Sequence, residues 1–303
     1  MYSDELSFLK FLNYWINYND KQYYNEISMI SAKTRGDPST ALFFSDRKML
    51  NLEEIVLDYF GNNIHPAIVD GLYFNFNKKN ELCLFFIEFK GTKLNKKAWK
   101  TYFKENIKSL PNNVCDNQHE NCPIKRLNED SLKEIYGQYA DEILVQLKMK
   151  PLESLLIAIP TLFKKFYRLN FTDNFILNNY FNCYVYVVHK GGSTNPGNSH
   201  LTSKHIKNKY ALFKRNGLIY DYEVYSKNGF NNNMIPKIDN FPIHFLKNML
   251  CIIYEFKDKS KESNVKELIF NRLNEELNNE SLDIPYKHKR RLVEVICKYC
   301  NYI

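Results

Sequence analysis

Apolar residues recur at helical spacing in the first part of the chain. Residues 3–18 carry Leu, Phe, Trp and Ile on one side of a predicted helix, and a second helix is predicted from about Arg47 to Phe60. Gly61 supplies a stop signal for that second helix. Residues 31–45 are polar and contain Gly and Pro, which predicts a loop between the two helices.

The next stretch has the pattern of an antiparallel hairpin. A strand is predicted from Val69 to Phe76, then a polar turn at residues 77–80, then a strand from Leu82 to Lys90. Because the second strand is apolar at nearly every position before its end, we expect it to be covered on both faces.

Less regular patterns follow the hairpin. Helices are predicted over residues 128–150 and onward to about residue 168, and a strand over residues 183–188 precedes a Gly-, Ser- and Asn-rich loop of about a dozen residues. The rest of the chain predicts two strands followed by two helices, near residues 219–225, 249–255, 264–278 and 287–301.

This order of elements predicts an α/β fold. We expect a four- or five-stranded mixed sheet flanked by helices, with a C-terminal extension. The chain divides into an N-terminal helical segment (residues 1–44), an α/β core (45–190) and an extension packed on that core (191–303).

The charge balance favours an anionic partner. The formal net charge is +8 and the pI is about 8.9, and a basic surface attracts anions at long range. Nucleic acid is the commonest partner of this kind, although general solubility explains a charge of this size equally well.

Neither a secretory leader nor a membrane span is predicted. The N-terminus carries Asp4 and Glu5 without a long apolar run. The longest apolar stretch, residues 155–163, is interrupted by Pro160 and is too short to cross a bilayer. We therefore expect a cytoplasmic protein without membrane contact, with its seven Cys residues as reduced thiols.

Candidate chemistry lies at the open end of the hairpin. Glu88 and Lys90 are two residues apart on a strand, so their side chains point to the same face. Antiparallel pairing about the turn places Asp70 opposite residue 87 or 88, at a cross-strand distance of about 5 Å. Two carboxylates at one point suit a hard cation such as Mg²⁺ or Mn²⁺, and a nearby Lys can position a water nucleophile.

Asp70 followed by Glu88-Phe89-Lys90 on a hairpin that comes after a helix resembles the core motif of the PD-(D/E)xK nuclease superfamily. The resemblance covers residues 45–190 and implies a restriction-endonuclease-like core, metal-dependent phosphodiester hydrolysis and a nucleic-acid substrate. One difference is that Val69, rather than Pro, precedes Asp70.

The resemblance also implies further site residues. An acidic residue on the preceding helix would complete the metal shell, and we favour Glu53 over Glu54 because Glu53 falls inside the apolar stripe of that helix. Some members carry a Gln-x-x-x-Tyr on a later helix. Gln146 matches its first residue, whereas Lys150 stands at the Tyr position and is equally well explained as an extended side chain at a helix end.

Cysteine spacing raises a second, separate possibility. Cys115 and Cys122 lie in one polar loop and Cys297 and Cys300 form a Cys-x-x-Cys, so four thiolates could bind a structural Zn²⁺. On a helix, positions 297 and 300 also fit a packed apolar face. Nearby, the basic run at residues 287–291 could contact phosphates or remain a solvated helix face.

The residues and the resemblance together predict a Mg²⁺-dependent nuclease, with DNA as the favoured substrate and the choice between DNA and RNA left open. The resemblance implies a role in restriction, phage defence or DNA repair. In this hypothesis Asp70, Glu88 and Glu53 hold the metal, Lys90 positions the attacking water and Gln146 faces the same cavity. Two alternatives remain: an inactive nuclease-fold module that binds nucleic acid, and an interaction protein in which Glu88 and Lys90 form a surface ion pair. The sequence does not indicate an oligomeric state.

Overall fold

The computed structural model describes most of the chain apart from one long and several short internal segments. The described residues are 5–17, 23–32, 37–61, 66–90, 147, 149–168, 177, 180–189, 196–238, 245–257, 264–282 and 284–301, with backbone alone for residues 196–205 and 301.

One mixed sheet organises these residues. Its six strands pair in sequence order, antiparallel from β1 to β4 and parallel from β4 to β6. The strands are β1 (Tyr24–Glu26), β2 (Lys48–Asn51), β3 (Gly71–Phe76), β4 (Leu82–Lys90), β5 (Asn182–His189) and β6 (Asp221–Ser226). The α/β class is confirmed, and the mixed sheet has more strands than the four or five expected.

Helices connect and flank the strands of the sheet. They are α1 (Glu5–Ile16), α2 (Ile27–Ile30), α3 (Leu52–Phe60), α4 (Ile159–Phe166), α5 (Pro196–Arg215), α6 (Lys227–Asn233), α7 (Leu246–Phe256), α8 (Val265–Asn279) and α9 (Tyr286–Asn301). Residues 149–153 are also helical and lead through a π-helical turn, Ser154–Ala158, into α4. Pro160 follows this turn and has no N–H to donate, which accords with a widened helix at this point.

The hairpin of β3 and β4 agrees with the sequence pattern. Gly71 pairs with Ile87 and Phe76 with Leu82, and Asn77 to Asn80 form the turn. β4 lies between β3 and β5 and is buried at every position except Phe85 and Lys90, which are half-buried. The expectation that both faces of this strand are covered is confirmed.

The predicted helix from Arg47 to Phe60 is wrong at its start. Residues 48–51 form β2, and the helix begins only at Leu52. The side chain of Asn51 accepts a hydrogen bond from the Glu54 N–H at 3.2 Å, which caps the helix at that point. Because Leu50 pairs with Leu72 of β3, the apolar residues before the cap serve the sheet.

Two further patterns were misread. Residues 249–255 belong to helix α7, whose buried side chains recur at helical spacing, so a short apolar run did not mark a strand. Helix α5 begins at Pro196, inside the stretch predicted as a loop, because Pro is compatible with a first helical turn.

The sheet draws strands from all three sequence segments. β1 comes from residues 1–44 and β6 from residues 191–303, and both join the strands of the 45–190 segment. Within the described part of the chain, no helix is long and apolar enough to cross a membrane.

The last helix closes the turn of the hairpin. Arg291 of α9 donates hydrogen bonds to the carbonyl oxygens of Phe76 and Asn77, the latter at 2.6 Å. Lys298 donates to the Asn80 carbonyl at 3.0 Å and also pairs with Glu5 of α1. The closed end of the hairpin is therefore held by residues from both termini of the described chain.

Gly71 should not tolerate a side chain. A Cβ there would lie 2.4 Å from Sδ of Met49, a fully buried residue of the neighbouring strand β2. We expect Gly71→Ala to lower the free energy of unfolding by about 1–3 kcal/mol through overpacking. Chemical denaturation measures this. In a double-mutant cycle, Met49→Ala should relieve most of the added cost, and strictly additive effects would contradict the steric explanation.

Candidate active site

Asp70 and Glu88 are brought together by the register of the hairpin. Gly71 pairs with Ile87, so Asp70, one residue before β3, lies level with Glu88. Two contacts fix the Asp70 segment. Its Oδ2 accepts a hydrogen bond from the Phe89 N–H at 2.6 Å, and its carbonyl accepts one from the Leu52 N–H at 3.0 Å, at the start of α3.

Lys150 joins the two carboxylates. Its ammonium group donates to both oxygens of Glu88, at 2.9 and 3.0 Å, and lies 3.6 Å from Oδ1 of Asp70. The side chain of Glu88 is 1% exposed and that of Asp70 13% exposed, so both charges are largely removed from water. Such burial is costly unless an opposite charge with good geometry compensates it, and Lys150 supplies that charge.

Helical residues around Lys150 are fastened to the strand that enters the site. The hydroxyl of Ser154 accepts from the Val69 N–H at 3.0 Å and donates to the Lys150 carbonyl at 2.7 Å. Glu153 accepts a hydrogen bond from the Ala67 N–H. The backbone that carries Lys150 is therefore held against the backbone that leads to Asp70.

Burial shifts the ionisation of this cluster. It raises the pKa of Glu88 to about 8, an effect that the Asp70 charge adds to and that Lys150 reduces. It also raises the pKa of Asp70, against the influence of Lys150 and of the Phe89 N–H. For Lys150, burial lowers the pKa, but the two carboxylates more than offset this and the net shift is upward.

Lys90 lies near the carboxylates, and His189 is its neighbour on β5. Lys90 is on the same face of β4 as Glu88, and its charge lowers the pKa of both Glu88 and Asp70. His189 pairs with Lys90 across the parallel β4–β5 ladder. It is buried, its Nδ1 has no hydrogen-bond partner among the described residues, and burial lowers its pKa.

The two candidate carboxylates of α3 differ in position. Glu53 is exposed, so its placement inside a buried stripe was wrong; the buried residues of α3 are Leu52, Ile55 and Val56, because the helix begins at residue 52 and Met49 belongs to β2. The Glu53 charge nevertheless raises the pKa of Asp70. Glu54 instead accepts hydrogen bonds from Asn25 and Asn51, at 3.2 and 3.1 Å.

The remaining predicted residues are distributed elsewhere. Gln146, Cys115 and Cys122 lie outside the described residues. Cys297 and Cys300 are buried on α9, and the Cys300 thiol donates to the Ile253 carbonyl at 3.8 Å, which is a packing role. The zinc hypothesis stays a prediction, since two of its four proposed ligands lie outside the described residues.

Asp70 and Glu88 have the chemistry that a hard cation requires. Their oxygens already converge on one positive group, the Lys150 ammonium, so this point of the structure favours positive charge. No group of three or more His, Cys, Asp or Glu residues in the described chain forms a ready metal cluster. Mg²⁺ commonly uses one or two carboxylates and completes its shell with water, so the two residues fit it.

Ser154 and the direct contact of Lys150 with both carboxylates were not found from the sequence. A signal for Ser154 exists, because it lies four residues after Lys150 at the start of an apolar helical run, and the structure buries it fully. A buried hydroxyl in such a run needs a partner. For Lys150 the decisive contact joins residues 62 positions apart, which only the tertiary structure supplies.

Comparisons with family models, with curated proteins and with solved structures find no match to this chain.

The raised pKa of Glu88 predicts a pH-dependent stability. At a pH below the ordinary pKa of 4.5, the Glu88 carboxyl group is protonated in both the folded and the unfolded chain. Between pH 4.5 and about 8, it ionises more readily in the unfolded chain. Stability from this group is thus lost as pH rises through that window, by up to about 1.4 kcal/mol per pH unit. Urea denaturation in EDTA should show wild type losing stability relative to Glu88→Gln between pH 5 and 8. A difference in stability between wild type and Glu88→Gln that does not change with pH would contradict the raised pKa of Glu88.

Ser154 should be needed for the stability of the site. Ser154→Ala removes the acceptor of the buried Val69 N–H, and an unsatisfied buried donor costs about 1–3 kcal/mol. Ser39 provides a matched control, because its hydroxyl donates to Asp37 on the exposed surface at 2.6 Å. Denaturation midpoints should fall for Ser154→Ala and change little for Ser39→Ala; equal effects would contradict the role.

Proposed function

We propose that this protein is a metal-dependent nuclease that hydrolyses phosphodiester bonds in nucleic acid, with DNA as the favoured substrate. The observation that carries the proposal is the convergence of Asp70, one residue before β3, and Glu88 of β4 on a single cationic group at a largely buried point. Lys90, two residues beyond Glu88, completes the arrangement that the resemblance to the PD-(D/E)xK superfamily implies.

In this proposal each residue has a distinct task. Asp70 and Glu88 hold Mg²⁺ or Mn²⁺, and the exposed Glu53 at the start of α3 adds negative charge next to Asp70. The bound metal supplies Lewis-acid polarisation of a phosphoryl oxygen and a more acidic water. Lys90 orients the attacking water and offsets negative charge that develops on the phosphoryl group.

The charge of the chain supports an anionic substrate. The net formal charge is +8, and two members of the basic run on α9, Lys287 and Arg290, are exposed. Contacts with phosphates supply much of the affinity of nucleic-acid-binding proteins and weaken as salt increases. We therefore expect nucleic-acid binding that depends strongly on ionic strength.

A second candidate is a nucleic-acid-binding module without catalysis. It is favoured by one observation, that Lys150 satisfies both oxygens of Glu88 and makes a complete ion pair without any metal. An interaction protein with a surface Glu88–Lys90 pair fits less well, because Glu88 is buried and its partner is Lys150.

Cleavage assays distinguish these functions. Wild-type protein with Mg²⁺ or Mn²⁺ should cut single- or double-stranded DNA, and Asp70→Asn should reduce the rate by roughly 10²–10³-fold or more, because the metal site loses a charge. Lys90→Ala should lower kcat by a similar factor with a smaller effect on metal affinity. Asp221→Asn, which removes a carboxylate from an exposed ion pair with Lys214, is the control and should cleave normally.

Binding assays complete the test. Asp70→Asn should retain most of its affinity for DNA, since phosphate contacts elsewhere dominate binding. Salt-dependent binding by a wild-type protein that cuts neither DNA nor RNA with either metal would favour the inactive module instead.

A further inference from the structure

The ammonium group of Lys150 occupies the oxygens that a metal would need. It contacts both oxygens of Glu88 at 2.9 and 3.0 Å and lies 3.6 Å from Oδ1 of Asp70. Mg²⁺ binds carboxylate oxygens at about 2.0–2.1 Å. A metal on Glu88 would therefore lie very close to the ammonium, where two positive charges repel strongly and compete for the same lone pairs.

The charges also favour replacement of Lys150 by a divalent cation over a permanent ion pair of Lys150 with the carboxylates. Asp70 and Glu88 carry two negative charges when ionised, whereas Lys150 supplies one positive charge. A divalent cation would neutralise both carboxylates. Lys150 would then lose the electrostatic reason to remain between them.

We propose that Lys150 is an internal counter-cation, which holds the metal position of Asp70 and Glu88 in the metal-free protein and withdraws when a divalent cation binds. This inference rests on the metal site of the proposed function and adds a regulatory step to it. Metal binding and release of the ammonium become one exchange, so Lys150 sets the metal concentration at which the site is filled.

The surrounding contacts let the side chain move while the helix stays fixed. The Lys150 carbonyl accepts from Ser154, and Ser154 in turn accepts from the Val69 N–H, so the backbone is anchored. The Lys150 side chain is 22% exposed, which gives its flexible stem a route toward solvent. Withdrawal therefore requires rotation of side-chain torsions and no movement of a helix.

Metal titration of variants tests the exchange. Calorimetric titration with Ca²⁺ should show that Lys150→Met binds metal roughly ten- to a hundredfold more tightly than wild type, the factor expected when a competing charge-assisted hydrogen bond is lost. Two controls separate competition from charge removal. Lys90→Met removes a nearby charge and should give a smaller gain, and Lys207→Met breaks an exposed 2.9 Å pair with Glu223 and should give none.

A second measurement uses wild-type protein and does not depend on a variant that folds. Acylation of amines, followed by mass spectrometry at constant pH, should modify Lys150 several-fold faster in saturating Ca²⁺ than in EDTA, while Lys207 reacts at the same rate in both. An unchanged Lys150 rate, or a Lys150→Met affinity equal to or weaker than wild type, overturns the exchange.

The outcomes also separate this inference from the proposed function. Tighter binding by Lys150→Met in a protein that cleaves nothing supports the exchange and removes the nuclease proposal. Metal-dependent cleavage without any gain for Lys150→Met keeps the nuclease and removes the exchange. Failure of wild type and Lys150→Met to bind Ca²⁺ or Mn²⁺ overturns both.

Discussion

A cation shared by two largely buried carboxylates ties the hairpin of β3 and β4 to the helix beside it. Asp70 and Glu88 approach each other because β3 and β4 pair in one register. Their charges require Lys150, and Lys150 can reach them only if its helix packs over the open end of the hairpin. Ser154 then secures that helix to the strand that precedes Asp70. The geometry of the site and the packing of the helix against the hairpin therefore depend on each other.

Local patterns in the sequence were sufficient for the hairpin and the pairing of its acidic residues. Two apolar runs, the polar turn between them and antiparallel pairing about that turn place Asp70 level with Glu88, and all of these are local features of the sequence. Local patterns do not predict contacts between residues that are far apart in the sequence. The partner of Glu88 is 62 residues away. The start of α3 was missed for a different reason, because the apolar pattern obscured a local cap by Asn51. The apolar run at 249–255 illustrates the same limit, because strand and buried helix share that composition.

A buried ion cluster is a poor device for stability alone. Apolar residues of similar size are often as stabilising or more so, and removal of one charged partner is strongly destabilising. Departures from an apolar interior tend to occur where a protein performs its function. Asp70, Glu88 and Lys150 follow that pattern, because they lie where the two central strands of the sheet meet at one end, near Lys90 and the buried His189.

The contacts of α9 with the hairpin turn affect the order in which the two ends of the hairpin form. The hairpin itself is local and can pair as soon as its own residues are available, whereas Arg291 reaches the Phe76 carbonyl across a separation of 215 residues. Closing so long a loop delays this contact relative to local pairing. During synthesis the open end of the hairpin can therefore form before the turn gains its contacts with α9. The two ends of one hairpin would form at different times: the end with the acidic residues first, and the turn with its α9 contacts last.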